Sequence, residues 1–105
     1  MGADPLQSLG LYNRAGLLLF GPALYGAKSL GALLVASDAS SRSKKEAKSL
    51  ADRTGAKLIE GFTQEELGKP VGRDALSALG IKEGKAAKAI IKALGKENND
   101  EEKRI

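Results

Sequence analysis

GALLVASD, residues 31 to 38, is a continuous apolar run closed by an aspartate. The run does not alternate with polar residues, as expected of a central strand covered on both faces. SSRSKKEAKSLADRTG, residues 40 to 55, changes period at once. There Ala47, Leu50, Ala51 and Thr54 share one helical face, while Lys44, Lys45 and Lys48 turn away. Ser43 and Glu46 read as a capping box, and Gly55 stops the helix. A buried strand feeding an amphipathic helix is the unit of an α/β fold.

Reading outward extends that unit. On the N-terminal side, PLQSLGLYNRAG (5–16) reads as a helix with Asp4 as cap and Pro5 in the first turn. LLLF (17–20) reads as a short buried strand. Gly21-Pro22 opens a second helix, PALYGAKS (22–29). On the C-terminal side, AKLIEGF (56–62) is a third strand, and Thr63 with Glu66 makes another capping box for a short helix, TQEELG. Gly68 is expected to end that helix in a left-handed conformation, with Pro70 blocking its continuation. ALSALGI (75–81) is a fourth strand. GKAAKAIIKALG (84–95) is the last helix, with Ile90, Ile91 and Leu94 opposite a stripe of Lys85, Lys88, Lys92 and Lys96. Helix–strand alternation repeated four times and closed by a helix predicts an α/β fold. The expected architecture is a three-layer α/β/α sandwich on a four-stranded mixed sheet. Residues 1–94 form the single domain of this reading, and residues 95–105 a charged, disordered tail.

Composition narrows the chemistry. The 105 residues contain neither cysteine nor histidine. That excludes disulfides, Cys/His zinc sites, thiol nucleophiles and triads with a histidine base. Neither G-x-G-x-x-G nor a P-loop occurs. Glu65 and Glu66 are helical neighbours that point apart, and Asp38, just past a strand end, reads as a helix cap. The expectation is a protein with no catalytic residues, no metal and no cofactor, and not an enzyme.

Charge points elsewhere. Of 17 Lys/Arg and 13 Asp/Glu, residues 1 to 96 hold 15 and 9, a net of +6, and the last nine hold 2 and 4, a net of −2. A basic body suits a phosphate-rich partner. The aromatics, Tyr12, Phe20, Tyr25 and Phe62, sit at apolar positions and none interleaves with the cations, which argues against a base-stacking platform for single strands. Phosphate and loop contacts to a shaped RNA are the expected mode, with no DNA partner. No apolar run approaches the ~20 residues of a membrane span. The N-terminus MGADPLQS lacks signal-peptide layout, so the expectation is a cytoplasmic protein with no membrane partner.

Four words in fixed order carry a resemblance: LGLYNRAG, LLVASDASSRSKKE, EELGKPVG and GKAAKAIIKAL. Together they resemble the ribosomal protein L-seven-Ae family, which binds kink-turn RNA, and most closely its bacterial YlxQ-type members, over roughly residues 6 to 94. The resemblance implies an α/β/α sandwich whose binding surface is built from two loops. One, at the start of the second helix, maps onto Gly21, Pro22 and Ala23, with Lys28 in place of the family lysine. The other follows the L-G-x-x-x-G word and maps onto Arg73, Asp74, Ala75 and Leu76. Arg14, Lys28, Lys69 and Arg73 would contact phosphates, and Ala75 and Leu76 would cover an unstacked base. The implied partner is structured RNA, ribosomal or kink-turn, with the ribosome as the setting. The chain departs from the family where relatives carry an Asn-Glu pair, for which it has Ala23-Leu24. The interval from Gly21 to the next strand is also short by about four residues, close to one helical turn. A protein-interaction module on the same fold, with weak or no RNA binding, is the alternative expectation.

Overall fold

In a computed structural model, which describes residues 5–94, the 31–38 run supplies β2 (Ala32–Ala36), with every residue buried. Three further strands join it: β1 (Leu18–Leu19), β3 (Lys57–Phe62) and β4 (Ala78–Ile81). The order across the sheet is β1-β4-β2-β3. Strand β2 runs parallel to β3 and antiparallel to β4, and β4 is antiparallel to β1, so the sheet is mixed. The domain is thus the expected α/β sandwich. The Asp4 cap, Lys96 and the 95–105 tail lie outside the described residues.

Side chains alternate across the sheet, as strand geometry requires. Ala32, Leu34, Ala36, Leu79, Ile81 and Leu18 face α1 (Pro5–Arg14), α4 (Gln64–Gly68) and α5 (Lys85–Leu94). Leu33, Val35 and Ala78 face α2 (Pro22–Tyr25) and α3 (Ser41–Thr54). Burying a large aliphatic side chain is worth roughly 1.5–3 kcal/mol. The two apolar layers on β2 therefore fix its register, since a one-residue slip would exchange them. Strand β3 steps out of register between Val35 and Ala36, where Gly61 is the extra residue. That bulge returns Phe62 to the face of Ile59, while Glu60 turns to the α3 side and pairs with Lys44 at 3.1 Å.

Local chemistry departs from the expectation in four places. The α3 N-cap is Ser40, whose Oγ accepts from the Ser43 N–H at 3.1 Å. Ser43 is therefore the third helical residue, and Glu46 pairs instead with Arg42 at 3.3 Å. Helix α2 is a single turn, ended at Gly26, so Ala27, Lys28 and Ser29 lie beyond it. Gly68 is not left-handed. It sits at φ −75, and a short 3-10 helix, Lys69–Val71, continues from it through Pro70 to a left-handed Gly72 at φ 73. The fourth strand begins at Ala78, which leaves Ala75 to Ser77 in the preceding loop.

The one-turn α2 stays close to the sheet because Gly80 has no side chain. A Cβ there would collide with Leu24, a fully buried residue, and crowd Leu30. Arg53 on α3 closes the other side. Its Nη1 and Nη2 donate to the carbonyls of Ala27 and Tyr25, each at 3.0 Å, and so satisfy acceptors left open where α2 stops early.

Candidate functional site

The sheet has two ends of different character. At one end β1, β2 and β3 finish and β4 begins: the Ala36 N–H donates to the Ser77 carbonyl and the Ser37 N–H to that of Phe62, both at 2.8 Å. Two loops meet there. Phe20 follows β1 directly, and the Arg73 guanidinium lies over its ring, 5.0 Å from the centroid. A cation and an aromatic far apart in sequence therefore meet in the fold. The contact links the side chain of Arg73 to Phe20, the residue that precedes Gly21.

The first loop turns on Gly21, at φ 66 and ψ −147, a conformation that L side chains rarely adopt. Its carbonyl accepts from the Leu24 N–H at 3.0 Å. Pro22 follows as the first helical residue and has no N–H to offer a ligand. Pro22 and Ala23 are exposed, whereas Leu24 belongs to the core.

The second loop is held from below. Gly68 is buried against it: a Cβ there would stand 2.6 Å from the Arg73 carbonyl oxygen and 2.9 Å from the Ala75 nitrogen. The Arg73 N–H donates to the Gly68 carbonyl at 2.9 Å, and the Leu76 N–H to that of Gln64 at 3.0 Å. Arg73, Asp74 and Ala75 are exposed, while Leu76 is half-buried against the α1/α4/α5 core. Helix α4, which anchors this loop, is itself capped twice. Thr63 Oγ1 accepts from the Glu66 N–H at 3.2 Å, and Glu66 Oε1 accepts from the Thr63 N–H at 2.9 Å. Asp38 Oδ1 accepts from the Gln64 N–H at 2.9 Å, and Gln64 Nε2 returns a bond to the Asp38 carbonyl at 3.2 Å. Asp38 is a cap, as expected, but for the helix after the next strand.

The remaining predicted cations divide. Arg14 and Lys69 are exposed and line one shallow depression with Leu11 and Pro70, where α1 passes the 3-10 helix. Leu11 is 63% exposed within it. Lys28 lies elsewhere, in a depression it shares with Ser29, Lys82 and Glu83 at the opposite end of the sheet. The single-turn α2 is the cause, because the chain leaves the helix before reaching Lys28.

Two contributors were missed in the sequence, Phe20 and Arg53. Fifty-three positions separate Phe20 from Arg73, and 28 separate Arg53 from Tyr25, so no local pattern marks either contact. Tyr25 lines a further open depression with Lys45, Glu46, Ser49, Leu50 and Arg53. Burial, and after it the Glu46 carboxylate, push its hydroxyl above the ordinary 10.0. Among the described residues, no group of three or more Asp or Glu is placed to hold a metal. No helix among them is long and apolar enough to cross a membrane.

The architecture defines a class of fold, an α/β sandwich on a four-stranded mixed sheet, and known structures share it. One is a protein of unknown function from Bacillus halodurans C, 22% identical, with a TM-score of 0.71 over 85% of this chain and 94% of that one. No protein family matches the chain, and no curated protein matches it.

Proposed function

We propose that this is a non-catalytic RNA-binding protein, ribosomal or ribosome-associated, that recognises structured, kink-turn-like RNA. The observation that supports the reading is the stacking of Arg73, in one of the loops the resemblance implicates, on Phe20, the residue that precedes the other. A guanidinium held on a ring keeps its N–H edge in a defined direction, suited to bidentate contact with a phosphate. Gly21 and Ala23 offer a surface without bulky side chains on which a nucleotide can approach the backbone. Leu24 is in the core, so it supplies no polar contact in place of the family's Asn-Glu pair. Recognition on this reading relies on shape and phosphates, which suits RNA more than a base-edge code. Arg14 and Lys69 extend the positive surface along α1.

The test is a titration against a kink-turn RNA and a plain duplex of equal length. The kink-turn RNA is expected to bind more tightly. The double substitution Lys69→Ala, Arg73→Ala is expected to weaken binding and lower the slope of log K against log salt by roughly 0.9 for each phosphate no longer neutralised. Equal affinity for both RNAs would remove the kink-turn specificity. Absence of salt-sensitive binding to either would remove RNA as the partner. A protein retained from nuclease-treated lysate would then favour an interaction module.

A further inference from the structure

The opposite end of the sheet, where β2 and β3 begin and β4 finishes, gathers lysines from four separate segments. Lys28 and Lys82 line one depression there. Lys88, from the exposed side of α5, lines a neighbouring one with Gly31, Gly55 and Gly84. Lys57 opens β3, and its N–H donates to the Gly31 carbonyl at 3.3 Å, which puts it beside the same glycine. All four lysines are exposed. Glu83, which lines both depressions, is the one carboxylate among their lining residues. Among the described residues the ion pairs are Arg42–Glu46 and Lys44–Glu60, so no described carboxylate lies within 4.0 Å of any of these four lysines. Gly55 and Gly84 leave open space, with nothing within 4 Å of the position a Cβ would take, whereas Gly31 is packed against Ala87 and Glu83.

The kind of partner follows from what accompanies the charge. The exposed large apolar side chains of the described residues, Leu11 and Tyr25, line other depressions, so no wedge stands among these lysines to enter a bilayer. Arg53, which reaches Ala27 beside Lys28, is committed to the carbonyls of Ala27 and Tyr25 and so is not a free anchor of the kind that dominates protein interfaces. Lysines are flexible point charges, matched to the repeating phosphates of a nucleic-acid backbone rather than to one fixed carboxylate. The two ends of the sheet lie roughly 15 Å apart along the five residues of β2, too far for a single phosphate to serve both.

We propose that this lysine end is a second phosphate-binding surface, by which the domain holds two RNA segments at once, one at each end of the sheet. The inference rests on the RNA-binding reading above, and the experiment separates the two. The full chain is captured on immobilised kink-turn RNA, and a labelled plain RNA duplex is then added. The wild type is expected to retain the duplex. The variant Lys28→Gln, Lys57→Gln, Lys82→Gln, Lys88→Gln is expected to be captured equally well and to retain the duplex at least about tenfold less. Its salt slope for the duplex should fall by roughly 0.9 for each phosphate left without its lysine. The corresponding Lys→Arg variant should keep the duplex, and the pair Lys28→Gln, Lys82→Gln should show part of the loss if the fourfold variant is unstable. Full retention by a folded glutamine variant would overturn the second surface and leave the first intact. A wild type that is captured but retains no duplex would do the same, as would one that binds phosphatidylserine vesicles in place of the duplex. Failure of the wild type to be captured would overturn both readings.

Discussion

The two ends of the sheet carry charge in opposite ways. At the end bearing Phe20, Asp38, Glu66 and Arg73, every one of those groups is tied to a structural partner: a ring, a helix N–H, a backbone N–H. At the other end Lys28, Lys57, Lys82 and Lys88 project without a carboxylate partner among the described residues. Tied charges hold loops in place and present a shape. Untied ones supply only a field, and their side chains keep the rotamer freedom that pairing would cost. The first end should therefore respond to mutation in stability as well as binding, and the second in binding and salt dependence alone.

The sharpest way to break that contrast is Gly68→Ala. The added methyl meets the Arg73 carbonyl and the Ala75 nitrogen, both backbone atoms that no rotamer change can move aside. Overpacking of this kind costs about 1–3 kcal/mol, and the value here should lie in the upper part of that range. Urea unfolding measures it, and RNA affinity should fall with it because the 73–76 loop must shift. An alanine variant as stable as the wild type would mean that the loop is not seated on α4 as described.

That glycine also shows how far the sequence could be read. The strand at 32–36 and the buried face of α3 were legible because their signals are local and repeated: five apolar residues in a row, and four small or apolar residues at helical spacing. The Thr63 box was legible because both of its bonds fall within one turn. Residues 67–73, LGKPVGR, hold two glycines, and the expectation placed the left-handed position at the wrong one, because the roles of the two are set by tertiary packing. Gly68 is required for a close approach, and Gly72 takes the positive φ. The S-x-x-E spacing of Ser43 and Glu46 likewise pointed to the wrong cap for α3, because Ser40, three residues earlier, accepts from the Ser43 N–H instead. The candidate site was the least legible part. Its two loops could be named, but the contact of Phe20 with Arg73 and the removal of Lys28 to the far end depend on tertiary packing that no short pattern encodes.

Next in size is the capping of α4. Thr63→Ala removes one side of the capping box, and Asp38→Ala removes the acceptor for the Gln64 N–H. Each should cost about 1 kcal/mol, the usual value of a lost cap. The double variant should cost less than the sum, since both groups serve the same helix end and its first turn can fray once for both losses. Denaturant midpoints of the two single variants and the double complete the cycle. Strict additivity would show that the two caps act on independent units, and the tied end would then be less cooperative than its hydrogen bonds imply.

The smallest effect concerns the untied end. Replacing any one of Lys28, Lys57, Lys82 and Lys88 with Gln should change stability by no more than about 0.5 kcal/mol, as for surface positions without fixed partners, and the fourfold variant by the small sum of these. Its sign depends on salt. At low ionic strength the four lysines repel one another across a surface with one nearby carboxylate, Glu83, so neutralising them should be slightly stabilising. Above ~0.1 M, where the screening length falls to about 10 Å, the gain should fade and the two proteins converge. Thermal melts at several salt concentrations read the difference directly. Glu46→Gln is the matched control: it breaks the pair with Arg42, whose side chain is 88% exposed, and exposed pairs of this kind contribute little at any salt. A large, salt-independent loss in the lysine variant would mean that these side chains are bonded after all. The two ends would then differ in degree and not in kind.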